Sequence, residues 1–357
     1  MEVLVVGAGL AGCTCANLLA KRGHQVELID KASEVGGICQ DFLADDGTCY
    51  IQKFGPHIFH TADKEVWDYL SAYTEFTGYR HTYAACAMGK LYPFPINLHT
   101  IQKVFGRQVF SREEAEKLMF AGSTQYAKPT NFEQAAINDI GSALYTLFIK
   151  DYTEKQWMCK AKDLPVEVYS RVKVRFNFND ECFQDQLQGI PKEGYTAMMK
   201  KMVDFPNVKL ELETDFFDVC EKKNHDLVIY TGAVPGAKFR STKFTHMLGP
   251  TLGWPVINYT RKEPYTRVTD FNLMCKVKET DLHHLCEERP CKQTDGCELY
   301  PLKTSEGEEA YKEAAAELKK RFKNLVLCGR MAEHKYLDMD KAVRSAIDIV
   351  EKIFKWS

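Results

Sequence analysis

No uninterrupted apolar run in the 357 residues approaches the roughly 18 needed for a membrane-crossing helix, so no membrane association is expected. An excess of one charge is missing as well. The net charge of −2 gives no general electrostatic reason to bind nucleic acid or an acidic surface, and any anion site must be local. Internal repeats and low-complexity linkers are absent. With 45% hydrophobic and 27% charged residues, disorder, collagen and coiled coil are excluded. The 13 cysteines are never spaced C-x-x-C. Scattered and odd in number, they read as reduced, mostly buried thiols of a cytoplasmic protein. His283, His284, Cys286, Cys291 and Cys297 match no common zinc spacing and read as an ordinary loop, with no metal expected. Val3 to Ala20 is apolar enough to resemble a signal peptide. It lacks a basic leading segment, follows Glu2 and holds a glycine pattern that a cleaved leader does not need.

What is present begins with that glycine pattern. At about 150 residues per domain, the length predicts two or three units. Glu2 to Val6 is a β-branched run suited to a buried parallel strand, followed by Gly7-Ala8-Gly9-Leu10-Ala11-Gly12 and an apolar helix through Ala20. Gly23 ends the helix, and Gln25 to Ile29 supplies a second strand. In G-x-G-x-x-G, the first glycine permits the turn, the second admits a pyrophosphate, and the third lets helix and strand pack. The helix N-terminus offers N–H donors to phosphate. Asp30, with Lys31 beside it, follows the second strand at the distance expected of a ribose-binding acid. Gly36-Gly37 resembles the second glycine pair of two-domain flavoproteins, and Leu325 to Gly329 opens a C-terminal strand–glycine–helix return. A simple NAD dehydrogenase has no need of that return, so FAD is the expected dinucleotide.

Elsewhere, Ser111 with Glu114, Thr130 with Glu133, and Ser305 with Glu308 read as capping boxes. Tyr311, Ala314, Leu318 and Phe322 recur at helical spacing as one buried face. Val208 to Leu212, Leu227 to Tyr230 and Leu325 to Cys328 read as strands. A second set of stretches is rich in arginine, aromatics and histidine. They are Gly55-Pro56-His57-Ile58-Phe59-His60, Tyr152-Thr153-Glu154-Lys155-Gln156-Trp157, Arg171 through Arg175, Pro264-Tyr265-Thr266-Arg267, and Gly329-Arg330 through Met339. Arginines so far apart could meet only through the fold, where they would make a fork for a diphosphate.

Together these strings, with Gln188-Gly189-Ile190-Pro191 to Gly194-Tyr195-Thr196, resemble the bacterial UDP-galactopyranose mutases over nearly the whole chain. The resemblance implies an α/β protein: a Rossmann-like FAD-binding domain with an inserted small helical domain and an antiparallel β-sheet substrate domain. The FAD domain would comprise 1–80, 191–235 and 306–357, the sheet domain 81–100, 166–190 and 236–305, and the helical domain 101–165. It implies a cytoplasmic homodimer that interconverts UDP-galactopyranose and UDP-galactofuranose for cell-surface polysaccharide. Catalysis would be covalent, through N5 of reduced FAD, with NAD(P)H or a similar donor as reductant. Arg175 and Arg267 would hold the diphosphate, helped by Tyr152, Tyr300 and Tyr336, with Trp157 near the sugar. Asn258, Phe148, Ile149 and Asp338 would line the substrate pocket. His57 would lie beside the flavin ring, and Gly7, Gly9, Gly12, Asp30, Lys31, Gly36, Gly37, His60, Arg330 and Met339 would bind the cofactor. A mobile loop over 165–190 would close on the substrate.

Several positions depart from that pattern. Relatives usually carry two phenylalanines where this chain has Phe148 and Ile149, one of which stacks on uracil. They carry glycine where Asp151 and Met158 stand, tyrosine at Cys182, and asparagine at His81. These changes leave base and sugar open, with a thymidine-linked sugar such as dTDP-fucose as the alternative and a FAD-dependent oxidase as a more distant one.

Overall fold

The computed structural model describes residues 1–169, 174–220, 225–277 and 280–355. The chain forms two units, one of residues 1–79, 185–239 and 299–357, the other of residues 80–184 and 240–298.

The first unit is organised by a five-stranded parallel sheet. Its strands lie in the order Leu325–Leu327, Leu227–Tyr230, Glu2–Val6, Gln25–Ile29, Val208–Glu211. Val3 to Val6 are almost wholly buried at the centre, as expected of a parallel strand covered on both faces. The helix Leu10–Lys21 returns over the sheet, and Gly23 (φ +82°) ends it by donating to the Ala20 carbonyl at 2.9 Å. Ala315 and Leu318 of the helix Ser305–Arg321 are buried against the sheet, with Tyr311, Ala314 and Phe322 packed beside them. That is the face expected from the helical spacing.

The second unit carries a seven-stranded sheet ordered Cys297–Pro301, Phe239–Gly249, His283–Cys291, Arg267–Asp270, Val256–Tyr259, Tyr83–Ala87, Lys90–Phe94. It is mixed rather than purely antiparallel, because Val256–Tyr259 runs parallel to Tyr83–Ala87. The helical stretch is not a body of its own. Phe132, Ile140, Leu144 and Phe148 share one hydrophobic cluster with Ala85, Tyr92 and Phe94 of the sheet, so helices and strands make one unit.

Two capping assignments shift by one residue. Asn131, not Thr130, caps the helix Phe132–Leu144 by accepting from Gln134 N at 3.0 Å, and Thr304 caps Ser305–Arg321 through Gly307 N at 3.2 Å. Ser111 does cap Arg112–Met119, accepting from Glu114 N at 3.2 Å. The cysteine-rich stretch is a strand for most of its length, not a loop. His283–Cys291 pairs with Phe239–Gly249, and His283 Nδ1 meets the Asp270 carboxylate at 2.8 Å. Among the described residues no His, Cys, Asp and Glu groups gather as a metal site, and no helix is long and apolar enough to cross a membrane. All 13 cysteines are unpaired in disulfides, but only six are fully buried and Cys159 is exposed.

Candidate active site

The first unit places its glycines in a cradle. Gly7 has φ +99°, and a Cβ there would lie 2.3 Å from Thr231 Oγ1. A Cβ on Gly12 would lie 1.8 Å from the Gly7 carbonyl oxygen, so the helix can approach the turn only without one. Gly9 forms a β-bridge with Gly36, and Gly36 N donates to Ala8 O at 2.8 Å. The two glycine pairs therefore lie against each other with no side chain between them. The helix that follows has no side-chain cap on its N-terminus, leaving its first amides available to an anion. Asp30 is anchored to this turn, accepting from Ala8 N at 2.6 Å and Ala32 N at 2.8 Å. Lys31 beside it is exposed.

The C-terminal return comes back to the same helix. Gly329 (φ +84°) packs so closely on Ala11 that a Cβ would lie 2.8 Å from that of the alanine. Met339 Sδ lies 3.7 Å from Cys39 Sγ, beside the second glycine pair, while Asp338 is exposed just before the last helix. Arg330 lies 4.6 Å from the ring centres of both Tyr300 and Tyr336, whose rings stack 5.6 Å apart at 11°. Its Nε is buried without a hydrogen-bond partner, and among the described residues it pairs with no carboxylate. A bare glycine cradle, an uncapped helix start and a half-buried cation fit a dinucleotide carrying a diphosphate.

His57 is held by its main chain. Its N–H donates to Gln52 Oε1, and its carbonyl accepts from Gln52 Nε2 and from Tyr195 Oη, each at 3.1 Å. Nδ1 lies 2.9 Å from the Gly55 carbonyl, which can only accept, so the proton sits on Nδ1. His60 instead pairs with Asp185 at 2.6 Å. The Gly194-Tyr195-Thr196 string supports this segment from below, because Asp41 accepts the main-chain N–H of Tyr195 and of Thr196.

In the second unit Arg175 donates through both terminal nitrogens to carbonyls, that of Glu181 and, at 2.7 Å, that of Cys182. Arg267 donates to Asn258 Oδ1 at 3.1 Å and pairs with Glu288 at 3.4 Å. Glu288 is buried, which raises its pKa above the ordinary carboxylate value, and the Arg267 charge opposes the rise. The two arginines act on one residue that the sequence reading passed over, Tyr83. Burial pushes its phenol up, and the charges of Arg267 and Arg175 both moderate that shift, with Tyr152 among its neighbours. The charges of Arg175 and Arg267, some ninety residues apart in sequence, thus both reach the Tyr83 phenol. Arg171 falls outside the described residues.

Trp157 is covered by Arg240, whose guanidinium carbon lies 4.1 Å from the ring centre. Arg240, too, went unnoticed in the sequence. Phe148 and Ile149 are another matter. They are 1% and 5% exposed, and Phe148 meets Tyr92 and Phe94 edge-on with ring centres 5.1 and 5.4 Å apart. The π-helical turn Tyr145–Ile149 follows Gly141, which breaks the helix at φ +77°, and the altered phase turns both side chains inward. Neither presents a surface to a base in this structure.

Comparison with known proteins identifies the shared design. A family model described as UDP-galactopyranose mutase matches residues 147–336, which hold both arginines. The chain belongs to the UDP-galactopyranose mutase family. A probable UDP-galactopyranose mutase of Klebsiella pneumoniae is 32% identical, with 98% of this chain and 94% of the relative covered. A dTDP-fucopyranose mutase of Escherichia coli is 31% identical, covering 99% and 98%. A crystal structure of a reduced UDP-galactopyranose mutase superposes with TM-score 0.75 at 14% identity, covering 100% of this chain and 96% of the other, and shows the shared fold. A second model, of NAD(P)-binding Rossmann-like domains, matches residues 5–73.

Against the pattern of this family the departures acquire places. Met158 has φ +53°, a left-handed conformation that glycine enters freely, and it ends the helix Lys150–Trp157. Asp151 needs no such freedom, since it lies in the first turn of that helix and pairs with Arg261 at 3.4 Å. His81 and Cys182 are joined, with Cys182 N donating to the His81 carbonyl at 2.7 Å. The His81 ring stacks between Tyr83 and Phe183, with ring centres 5.9 and 6.0 Å away. Two separate substitutions in sequence are thus one altered patch beside Arg175.

Proposed function

We propose that the protein interconverts UDP-galactopyranose and UDP-galactofuranose, with FAD held by the glycine cradle and active in its reduced form. The observation that carries this reading is that the segment matched by the family model holds both Arg175 and Arg267, the first donating to the Glu181 and Cys182 carbonyls, the second fixed by Asn258 and Glu288. Two guanidiniums are suited to a diphosphate leaving group, which gains charge as the glycosidic bond breaks. Glu288 offsets one of them, so the site keeps about one net positive charge from this trio before substrate arrives. Tyr83, whose phenol burial pushes up, adds a neutral donor, and Tyr152 adds a second hydroxyl.

Gly7, Gly9, Gly12, Gly36 and Gly37 would hold the FAD diphosphate, Asp30 the ribose, and Arg330 and Met339 the remainder of the cofactor. When bound, reduced FAD would supply a nucleophilic ring nitrogen, N5, for covalent catalysis at the anomeric carbon. The contact of His57 Nδ1 with the Gly55 carbonyl fixes the orientation of the ring. No net redox change accompanies the rearrangement, so an external donor need only bring the flavin to its reduced state.

A thymidine-linked 6-deoxy sugar is the second reading. The burial of Phe148 and Ile149, which leaves neither to stack on uracil, and the joined His81–Cys182 patch, where the family pattern has asparagine and tyrosine, favour it. A product assay with dithionite-reduced enzyme separates the two. Turnover of UDP-galactofuranose alone supports the first, preference for dTDP-fucofuranose supports the second, and inactivity on both overturns mutase chemistry.

A further inference from the structure

The helix that carries Tyr152 and Trp157 also carries Lys155, whose ammonium has an unusual set of partners. Nζ donates to three main-chain carbonyls of a single loop, those of Tyr259 at 2.7 Å, Tyr265 at 2.9 Å and Glu263 at 3.0 Å. An ammonium has three N–H groups and no acceptor, so its capacity is filled. Among the described residues it forms no ion pair with a carboxylate.

That loop joins Val256–Tyr259 to Arg267–Asp270, the two strands in which Asn258 lies opposite Arg267. It is fixed to the preceding helical segment at further points. Thr260 Oγ1 donates to the Leu147 carbonyl at 3.0 Å, and Arg261 donates to the Thr146 carbonyl at 2.5 Å. A loop that turns three carbonyls toward one point requires a cation or several donors there, because unmatched buried carbonyls are costly. We infer that Lys155 is a positioning residue for the diphosphate site, setting where Arg267 and Asn258 lie relative to Tyr152 and Trp157. This inference rests on the proposed role of Arg267 in holding the diphosphate.

The test compares wild type with Lys155→Gln and Lys155→Arg, all purified with cofactor. Gln brings two N–H groups on a shorter stem, and Arg keeps the charge on a planar fork that cannot converge on one point. A displacement of about 1 Å at a binding group is enough for a tenfold or larger effect. Lys155→Gln is therefore expected to raise both the Kd for UDP, measured calorimetrically, and KM by roughly tenfold, with kcat within threefold and the flavin absorbance ratio unchanged. Lys155→Arg should fall between the two. A purely structural role would lower the Tm and the active fraction but leave Kd and KM where they were, and that result overturns the inference. Where Lys155→Gln fails to fold, Lys155→Arg decides, since an unchanged Kd in that variant is equally fatal. Failure of the underlying reading is recognised separately, because wild type itself would then bind no UDP.

Discussion

Gly9 and Gly12 lie in the same turn, yet their replacement by alanine should fail in different ways. Gly9 has φ −82° and ψ −175°, extended backbone open to any residue, and a Cβ there would lie 3.6 Å from Gly37 Cα, an ordinary contact. Gly9→Ala should therefore fold. It should change the stability of the cofactor-free protein by less than about 1 kcal/mol, and a small gain is possible through the unfolded chain. Its methyl group nevertheless enters the surface that a pyrophosphate must approach, and FAD affinity should drop at least tenfold, or about 1.4 kcal/mol. Gly12→Ala meets the Gly7 carbonyl at 1.8 Å, about 1.6 Å inside van der Waals contact, and both partners are backbone. The helix must move as a body, at a cost of about 3–5 kcal/mol and roughly 5 °C in Tm. The assay is the ratio of flavin to protein absorbance after purification, paired with thermal melts of the stripped protein with and without added FAD. Equal losses of Tm in the two stripped variants would refute the division of roles. A full complement of FAD in Gly9→Ala would refute the cradle itself.

Arg267→Ala leaves Glu288 buried without its cation, which should cost about 3 kcal/mol at neutral pH. Because burial raises the Glu288 pKa, the folded variant binds a proton that the unfolded chain releases. Its Tm should then fall as pH rises from about 5 to 8, and adding Glu288→Gln should abolish that slope. Burial lowers the Lys155 pKa to about 8, against the opposing charges of Glu263 and Asp151. UDP affinity should accordingly weaken as pH rises through about 8, when one donor to the loop is lost, and Lys155→Arg should remove the inflection. Met158→Gly should stabilise the protein by up to about 1 kcal/mol, since Met158 is 58% exposed and has φ +53°. Asp151→Gly should destabilise it by a similar amount, through helix propensity and loss of the Arg261 pair, and thermal melts decide both.

What could be read from the sequence was local. The strand, glycine turn and helix of residues 2 to 21 each carry their own signal, in β-branched runs, glycine spacing and apolar periodicity, and the structure follows them closely. Capping residues were legible to within one position, because Thr130-Asn131 and Thr304-Ser305 each offer two competent caps in a row. The stretch His283–Cys291 hid its nature because its strand character comes from pairing with Phe239–Gly249, not from its own composition. The burial of Phe148 and Ile149 was not legible either, because a π-helical turn leaves no mark in the residue types. Tyr83, Glu288 and Lys155 were invisible for a simpler reason. Each takes its meaning from partners far along the chain, and a lone tyrosine, glutamate or lysine announces nothing.

The strings that mark the family also divide by task once their contacts are known. Tyr195 and Gln52 fix His57, so the Gly-Tyr-Thr run serves the Gly-Pro-His run within the first unit. Lys155 does the same for the Pro-Tyr-Thr-Arg run in the second. Much of what looks like chemistry in these motifs is scaffolding for a few reactive positions.

The order of strands in the parallel sheet sets a timetable for synthesis. The first strand lies between Gln25–Ile29, made almost at once, and Leu227–Tyr230, made more than two hundred residues later; the outer neighbour Leu325–Leu327 comes later still. While the chain emerges, the glycine cradle can form early but has only half a sheet beneath it. Meanwhile residues 80–184 of the other unit are made as an unbroken stretch before the first unit resumes at residue 185. The sheet under the dinucleotide turn is thus complete only once Leu325–Leu327 has been made, so a chain cut short before Leu325 lacks an outer strand of that sheet.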